Sequence, residues 1–132
     1  MKQIVVFFAL SLLTISTTFS QTNKKVVVMV THANWCPTCR ANEGKINNEL
    51  IPAFLNSKDV LVVINDVTNK RSKSKSKPEL QSAGVYDISL MEQATGLITI
   101  INPSSGKIVS RMYVSYSLEA MKKTIADALA GS

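Results

Sequence analysis

The sequence predicts an α/β domain in the order β-α-β-α-β-β-α, built on a mixed four-stranded sheet. Three observations carry this. Two apolar, β-branched runs, Lys25 to Thr31 (KVVVMVT) and Asp59 to Asn65 (DVLVVIN), read as strands buried on both faces of a parallel pair. Between them lies a helical stripe, as a crossover between parallel strands requires. Near the C-terminus, the turn-forming run Asn102-Pro103-Ser104-Ser105-Gly106 separates two further strand-like segments and so marks a hairpin.

The chain opens with Met1-Lys2-Gln3, an apolar stretch from Ile4 to Leu13, and a short polar stretch ending Thr18-Phe19-Ser20. This is the three-part form of a secretory signal peptide over residues 1–20, with cleavage expected before Gln21. The apolar stretch is shorter than the roughly 20 residues that a spanning helix needs, so no stable membrane insertion is expected after cleavage. No cysteine lies near the cleavage point, so lipoprotein processing is not indicated. Residues 21–132 are then one small domain, exported to the periplasm or the extracellular space.

Arg40 to Leu55 carries Ile46, Leu50 and Phe54 at spacing four, with Ile51 and Leu55 beside them, which makes one apolar helical face. Pro52 lacks an amide donor and its ring crowds the preceding turn, so a kink or two abutting helices is expected there. Asn69 to Lys77 (NKRSKSKSK) has no apolar residue and reads as a solvated loop. A short helix is expected from Pro78 to about Ala83, ended by Gly84. Leu97 to Ile101 and Lys107 to Val114 are the hairpin strands. Ser117 is a good N-cap for a closing helix that places Leu118, Met121, Ile125 and Leu129 on one face.

Lysine and arginine number 15 against 9 aspartates and glutamates, for a formal net charge of +6. Much of the excess sits in Asn69 to Lys77, which suits contact with an acidic partner, an anionic lipid or a polyanion. No aromatic residue is interleaved with those lysines, so a single-stranded nucleic-acid groove is not expected.

Trp35-Cys36-Pro37-Thr38-Cys39 holds the only two cysteines, directly after the first strand. At a strand-to-helix junction the first sulfur lies at a helix N-terminus, where free N–H groups and the helix dipole stabilise a thiolate. Cys36 is therefore the expected nucleophile. A purely structural disulfide is the alternative, but closing so short a loop removes little unfolded-chain entropy.

The segments HANWCPTCR, Asn65-Asp66-Val67-Thr68 and Leu97 to Val109 (LITIINPSSGKIV) resemble the thioredoxin superfamily. They are similar to exported thiol-disulfide proteins of the TlpA-like type and to the C-terminal domain of DsbD. The resemblance implies a thioredoxin-like fold and an exported thiol-disulfide oxidoreductase, as a reductase rather than an oxidase, working without a cofactor. Cys36 would attack a disulfide and Cys39 resolve the mixed disulfide. Trp35 would offer an apolar surface beside the exposed sulfur, and Pro37 and Thr38 would influence the reduction potential. The partners implied are protein disulfide or dithiol substrates and a redox partner.

Three departures from that pattern stand out. Thr95-Gly96 falls where the superfamily has a threonine and a cis-proline facing the dithiol, so Thr95 and Gly96 are expected to line the substrate site without the ring. Val30 stands where thioredoxin has a buried acid, which predicts slow proton transfer from the resolving thiol. After the expected cleavage only Gln21 to Lys24 precede the first strand, so the strand-helix unit that opens thioredoxin is absent from this reading and the chain resembles a minimal, glutaredoxin-like core in which no glutathione site is assigned. Val60 to Ile64 is then an edge strand open to a homodimer or a partner. Two other readings compete. His32 with the two cysteines offers soft ligands for copper(I) or zinc, although a structural zinc site wants four. A non-catalytic thioredoxin-like binding module is the other.

Overall fold

The computed structural model describes residues 23–132; the expected signal segment and its cleavage point lie outside them. Strand β1 spans Val26–His32 and β2 spans Val60–Asp66, paired in parallel from Val26 opposite Val60 to His32 opposite Asp66. Strands β3 (Leu97–Asn102) and β4 (Lys107–Tyr113) form the hairpin, and β3 runs antiparallel to β1. The sheet order is β2-β1-β3-β4, the mixed four-stranded sheet that the sequence predicts.

Helices cover both faces, because successive residues of β1 point to opposite sides and every one of its apolar side chains must be buried. Val26, Val28 and Val30 meet Ile46 and Leu50 of the first helical segment and Met121 and Ile125 of α5, which spans Leu118–Ala130. Val27 and Met29 meet Leu80, Ala83, Val85 and Ile88 on the other side. Ser117 caps α5 as expected, its side chain accepting from the Ala120 N–H at 3.2 Å. Among the described residues no helix is long and apolar enough to cross a membrane.

The first helical segment is α1 (Pro37–Lys45), a π-helical turn (Ile46–Leu50) and α2 (Ile51–Phe54). The break expected at Pro52 is taken up one turn earlier. A wider π turn moves the carbonyls that the proline ring would otherwise strike, and Pro52 sits in the first turn of α2, where no N–H is needed.

The stretch Asn69 to Lys77 is not a loop. It forms most of α3 (Lys70–Ser82), so Pro78 lies inside this helix rather than at the start of a shorter one. Ser72 and Ser76 are half-buried and Leu80 and Ala83 are buried, at a spacing that puts all four on the face turned to the sheet. Serines therefore occupy inward positions that a hydropathy pattern leaves blank. Asn69 caps the helix by accepting from the Ser72 N–H at 3.0 Å. A further helix, α4 (Tyr86–Met91), is absent from the sequence-based expectation.

Strand β2 is at the edge of the sheet, but the bare apolar edge expected from Val60 to Ile64 is narrowed. Ser57 Oγ accepts from the Val60 N–H at 3.1 Å, and Ser76 Oγ from the Asp66 N–H at 3.2 Å. Val60 and Val63 are buried, and Leu61, Val62 and Ile64 are half-buried.

Candidate active site

β1 ends at His32, and four residues later the chain enters α1 with Cys36 as its N-cap in an extended conformation (φ −84°, ψ 115°). Pro37 follows at the first helical position, where its fixed φ suits helix entry and its missing N–H leaves no unmet donor. This geometry turns Cys36 Sγ back over the helix start, where it accepts from the Cys39 N–H at 3.3 Å. Cys39, one turn on, lies beneath, its thiol directed at the Thr31 carbonyl 4.0 Å away.

The two sulfurs differ electrostatically. Burial by itself pushes the Cys36 thiol up, but hydrogen bonds from the Cys39 thiol, the Thr95 hydroxyl and the N–H groups of Cys39 and Thr38 outweigh it, and the net position is below an ordinary thiol. Burial also pushes Cys39 up, and donating to Cys36 and facing its charge push the same way, so Cys39 stays above the ordinary value. The pair is thus polarised, with negative charge favoured on Cys36 and the proton favoured on Cys39.

The expectation of an exposed sulfur needs correction: Cys36 retains only 6% of its surface and Cys39 3%. The N-cap position folds the first sulfur inward and Thr95 lies against it. Trp35, in contrast, is 63% exposed, which rules out a core-packing role. Its indole N–H donates to the Thr68 carbonyl at 3.2 Å, so the ring is held at one end by the junction between β2 and α3.

Gly96 has φ +81°, which favours glycine, and no peptide bond among the described residues is cis. Its N–H donates to the Thr31 carbonyl at 2.9 Å, and its carbonyl accepts from the Val114 N–H at 2.9 Å. A Cβ at this position would sit 3.8 Å from Thr38 Cγ2. Trp35, Thr38, Thr95 and Gly96 are therefore brought round the dithiol, and Pro37 and Thr38 are exposed beside it.

No protein-family model matches the sequence, and no curated protein matches it. Among solved structures, a protein described as a thioredoxin from Neisseria meningitidis is similar at a TM-score of 0.51 and 19% identity, over 88% of this chain and 81% of that one. The fold is thioredoxin-like. Trxlp from Edwardsiella tarda EIB202 has a TM-score of 0.49 at 20% identity, covering 81% of this chain and 87% of its own. Fasciola hepatica thioredoxin has 0.48 at 16%, covering 83% and 84%.

In this thioredoxin-like frame a cavity of about 230 Å³ opens behind Cys39. Val30, 2% exposed, forms part of its wall and contributes only a methyl surface, as expected from the valine at this position. Besides Cys39, the ionisable side chains on the cavity are His32 from β1, Glu43 from α1 and Asp66 from β2, with Thr31, Asn34 and Asn47 also on its wall. Yet among the described residues no three histidine, cysteine or acidic side chains are grouped to hold a metal ion, so His32 does not complete a ligand set with the cysteines. Its ring Nε2 lies 3.2 Å from Asn34 Oδ1.

Thr68 is the residue that sequence reading left without a role. Its hydroxyl accepts from the Asn34 N–H at 2.9 Å and donates to Asp66 Oδ1 at 2.6 Å, while its carbonyl holds Trp35. The signal available was Asp66-Val67-Thr68 directly after a strand, a pattern in which the aspartate side chain accepts from the N–H two residues on, here at 3.0 Å.

Proposed function

We propose that the protein is an exported thiol-disulfide oxidoreductase that reduces disulfides of protein substrates in the cell envelope, as TlpA-like proteins and the C-terminal domain of DsbD do. The observation that carries this reading is the asymmetry of the dithiol. Cys36 caps a helix and is held below the ordinary thiol range, while Cys39 beneath it is held above. A structural bridge has no need of that difference.

In the forward direction Cys36 thiolate attacks a substrate disulfide, forming a Cys36–substrate bond and releasing one substrate thiolate. Cys39 then loses its proton and attacks Cys36 Sγ. The Cys36–Cys39 disulfide forms, the second substrate thiolate leaves, and two electrons have passed from the dithiol to the substrate. Trp35, Pro37, Thr38, Thr95 and Gly96 form the surface against which the substrate backbone lies. A redox partner restores the dithiol by the reverse steps.

The test is the equilibrium reduction potential of the Cys36–Cys39 pair in the purified protein, followed by Trp35 fluorescence across dithiol redox buffers. A value near roughly −270 mV is expected for a reductase, whereas one near roughly −120 mV would make the protein a disulfide donor. Failure to titrate reversibly would overturn the redox reading.

A further inference from the structure

Helix α3 presents Lys70, Arg71, Lys73, Lys75 and Lys77 to solvent. Among the described residues the ion pairs are Glu92 with Arg111 and Lys123 with Asp127, so none of these five cations meets a carboxylate. The arrangement works against the helix itself. Lys70 and Arg71 lie in its first turn, where the dipole disfavours positive charge. Arg71 and Lys75, and Lys73 and Lys77, are like charges one turn apart, which repel. A solvated face chosen for folding alone would interleave acids, and within α3 only Glu79 does so.

The position of the helix gives this charge a use. Its N-cap, Asn69, follows directly on Thr68, which holds the Trp35 indole and the Asn34 N–H beside Cys36. Lys73 and Lys77 also line a groove of about 210 Å³ between α3 and α4. The groove is polar at depth: Asn65 and Ser89, 3% and 2% exposed, form part of its wall, together with Tyr86 and Gln93. Asn65 Nδ2 makes only long contacts there, 3.4 Å to each of the Ser89 and Glu92 carbonyls.

We infer that α3 is the docking surface for an acidic segment of the polypeptides whose disulfides reach Cys36, with carboxylates ranged along its lysines and one entering the groove between α3 and α4. This rests on the oxidoreductase reading for its biological context, although the binding itself does not require thiol exchange. A carboxylate complements the charge of Lys73 and Lys77 on the groove, and its arrival relieves the repulsion along α3. A membrane surface fits less well, because Leu80 of α3 and Ala83 at its C-cap face the sheet and leave the helix no broad apolar side to insert. Nucleic acid fits less well again, since the nearby aromatic ring, Tyr86, lies under Lys77 at 5.2 Å and is not free for stacking.

The experiment is a fluorescence-anisotropy titration of the full chain with a labelled decaglutamate peptide, repeated at rising salt. Binding is expected to weaken steeply with salt and to fall about tenfold in Lys73→Glu/Lys77→Glu. The double variant Lys70→Glu/Arg71→Glu is expected to weaken binding while raising the thermal midpoint, because acids at a helix start favour the dipole. A purely structural role for these residues would move binding and stability together. Equal binding of decalysine, or unchanged binding in both variants, would overturn the inference. So would capture by phosphatidylglycerol vesicles without capture of the peptide. Failure of the oxidoreductase reading shows separately, as a Cys36–Cys39 pair that does not titrate while the peptide still binds.

Discussion

The Gly96 N–H donates to the Thr31 carbonyl at 2.9 Å, joining the segment before β3 to the end of β1, where the Cys39 thiol also faces that carbonyl. A proline at this position has no hydrogen to give and cannot reach φ +81°. Gly96 thus uses a hydrogen bond that a proline would abolish. Gly96→Pro is expected to destabilise the fold by about 3 kcal/mol or more. Gly96→Ala meets only ordinary contacts, at 3.6 Å from Val114 Cγ2, so its cost is the left-handed backbone alone, about 1 kcal/mol. Urea unfolding of the two variants checks this order, and equal stability of the proline variant and the parent would remove the hydrogen bond from the account.

Thr95 contributes to the asymmetry of the cysteines from outside the Cys-x-x-Cys segment. Burial opposes the Cys36 thiolate, and the Thr95 hydroxyl is among the hydrogen bonds that outweigh it. In Thr95→Ala the titration midpoint of Cys36 is expected to move up, and in Thr95→Ser to stay near that of the parent. Iodoacetamide alkylation as a function of pH reads this directly, since only the thiolate reacts. At pH 7 the alanine variant should be alkylated several-fold more slowly, roughly as its thiolate fraction falls. A midpoint unmoved by either change would detach Thr95 from the site.

The parts of the fold legible in the sequence are those whose signal is burial of β-branched or periodic apolar side chains. β1, β2 and the hairpin lie within a residue or so of their expected ends, and α5 begins at the expected cap. α3 was hidden because Ser72 and Ser76 occupy its inward face, and what pins them is the Asn69 cap and the Asp66 N–H, neither of which leaves an apolar mark. α4 is short and buries only Ile88 and Ser89, too little for a periodicity. At the site, the roles of Cys36 and Cys39 follow from a sulfur at a helix start. Anchoring of Trp35 by a backbone carbonyl has no residue signature at all, and the hydrogen bond by which Thr95 lowers the Cys36 thiol comes from nearly sixty positions away.

The segment that carries Thr95 and Gly96 is held from its other end by Glu92. Arg111 donates to both carboxylate oxygens, at 2.8 and 3.3 Å, and keeps the Glu92 carboxyl below its ordinary value against the opposing effect of burial. A lowered folded value means that the pair's contribution to stability is complete above the ordinary glutamate range, near 4.5, and is lost as pH falls through the lowered one. Arg111→Met is therefore expected to lower the thermal midpoint by a few degrees at pH 7, with the gap narrowing as pH falls below the ordinary glutamate range. A gap that stays constant with pH would mean that the arginine acts through packing alone.

Val30 decides how the cavity behind Cys39 behaves, and placing an acid there tests its character. Val30→Asp puts a carboxyl on a wall that is 2% exposed, with Glu43 and Asp66 on the same cavity. Burial and like charge both favour its protonated form in the folded state, so its folded titration lies above the ordinary aspartate value. For an acid raised in this way, the destabilisation is absent below the unfolded value, about 3.9, and grows as pH rises to the folded one. Added to it is a pH-independent loss of apolar contact with neighbours such as Ile46 and Ile64. The gap in unfolding free energy between parent and variant should thus widen by on the order of 2 kcal/mol between pH 4 and pH 8. Val30→Asn should show a gap that does not change with pH. The same carboxyl stands on the cavity wall with Cys39, where it can accept the proton that the resolving thiol must lose, so resolution of a Cys36 mixed disulfide should quicken even as the fold weakens. If resolution is unchanged while the pH-dependent destabilisation appears, proton transfer does not limit that step.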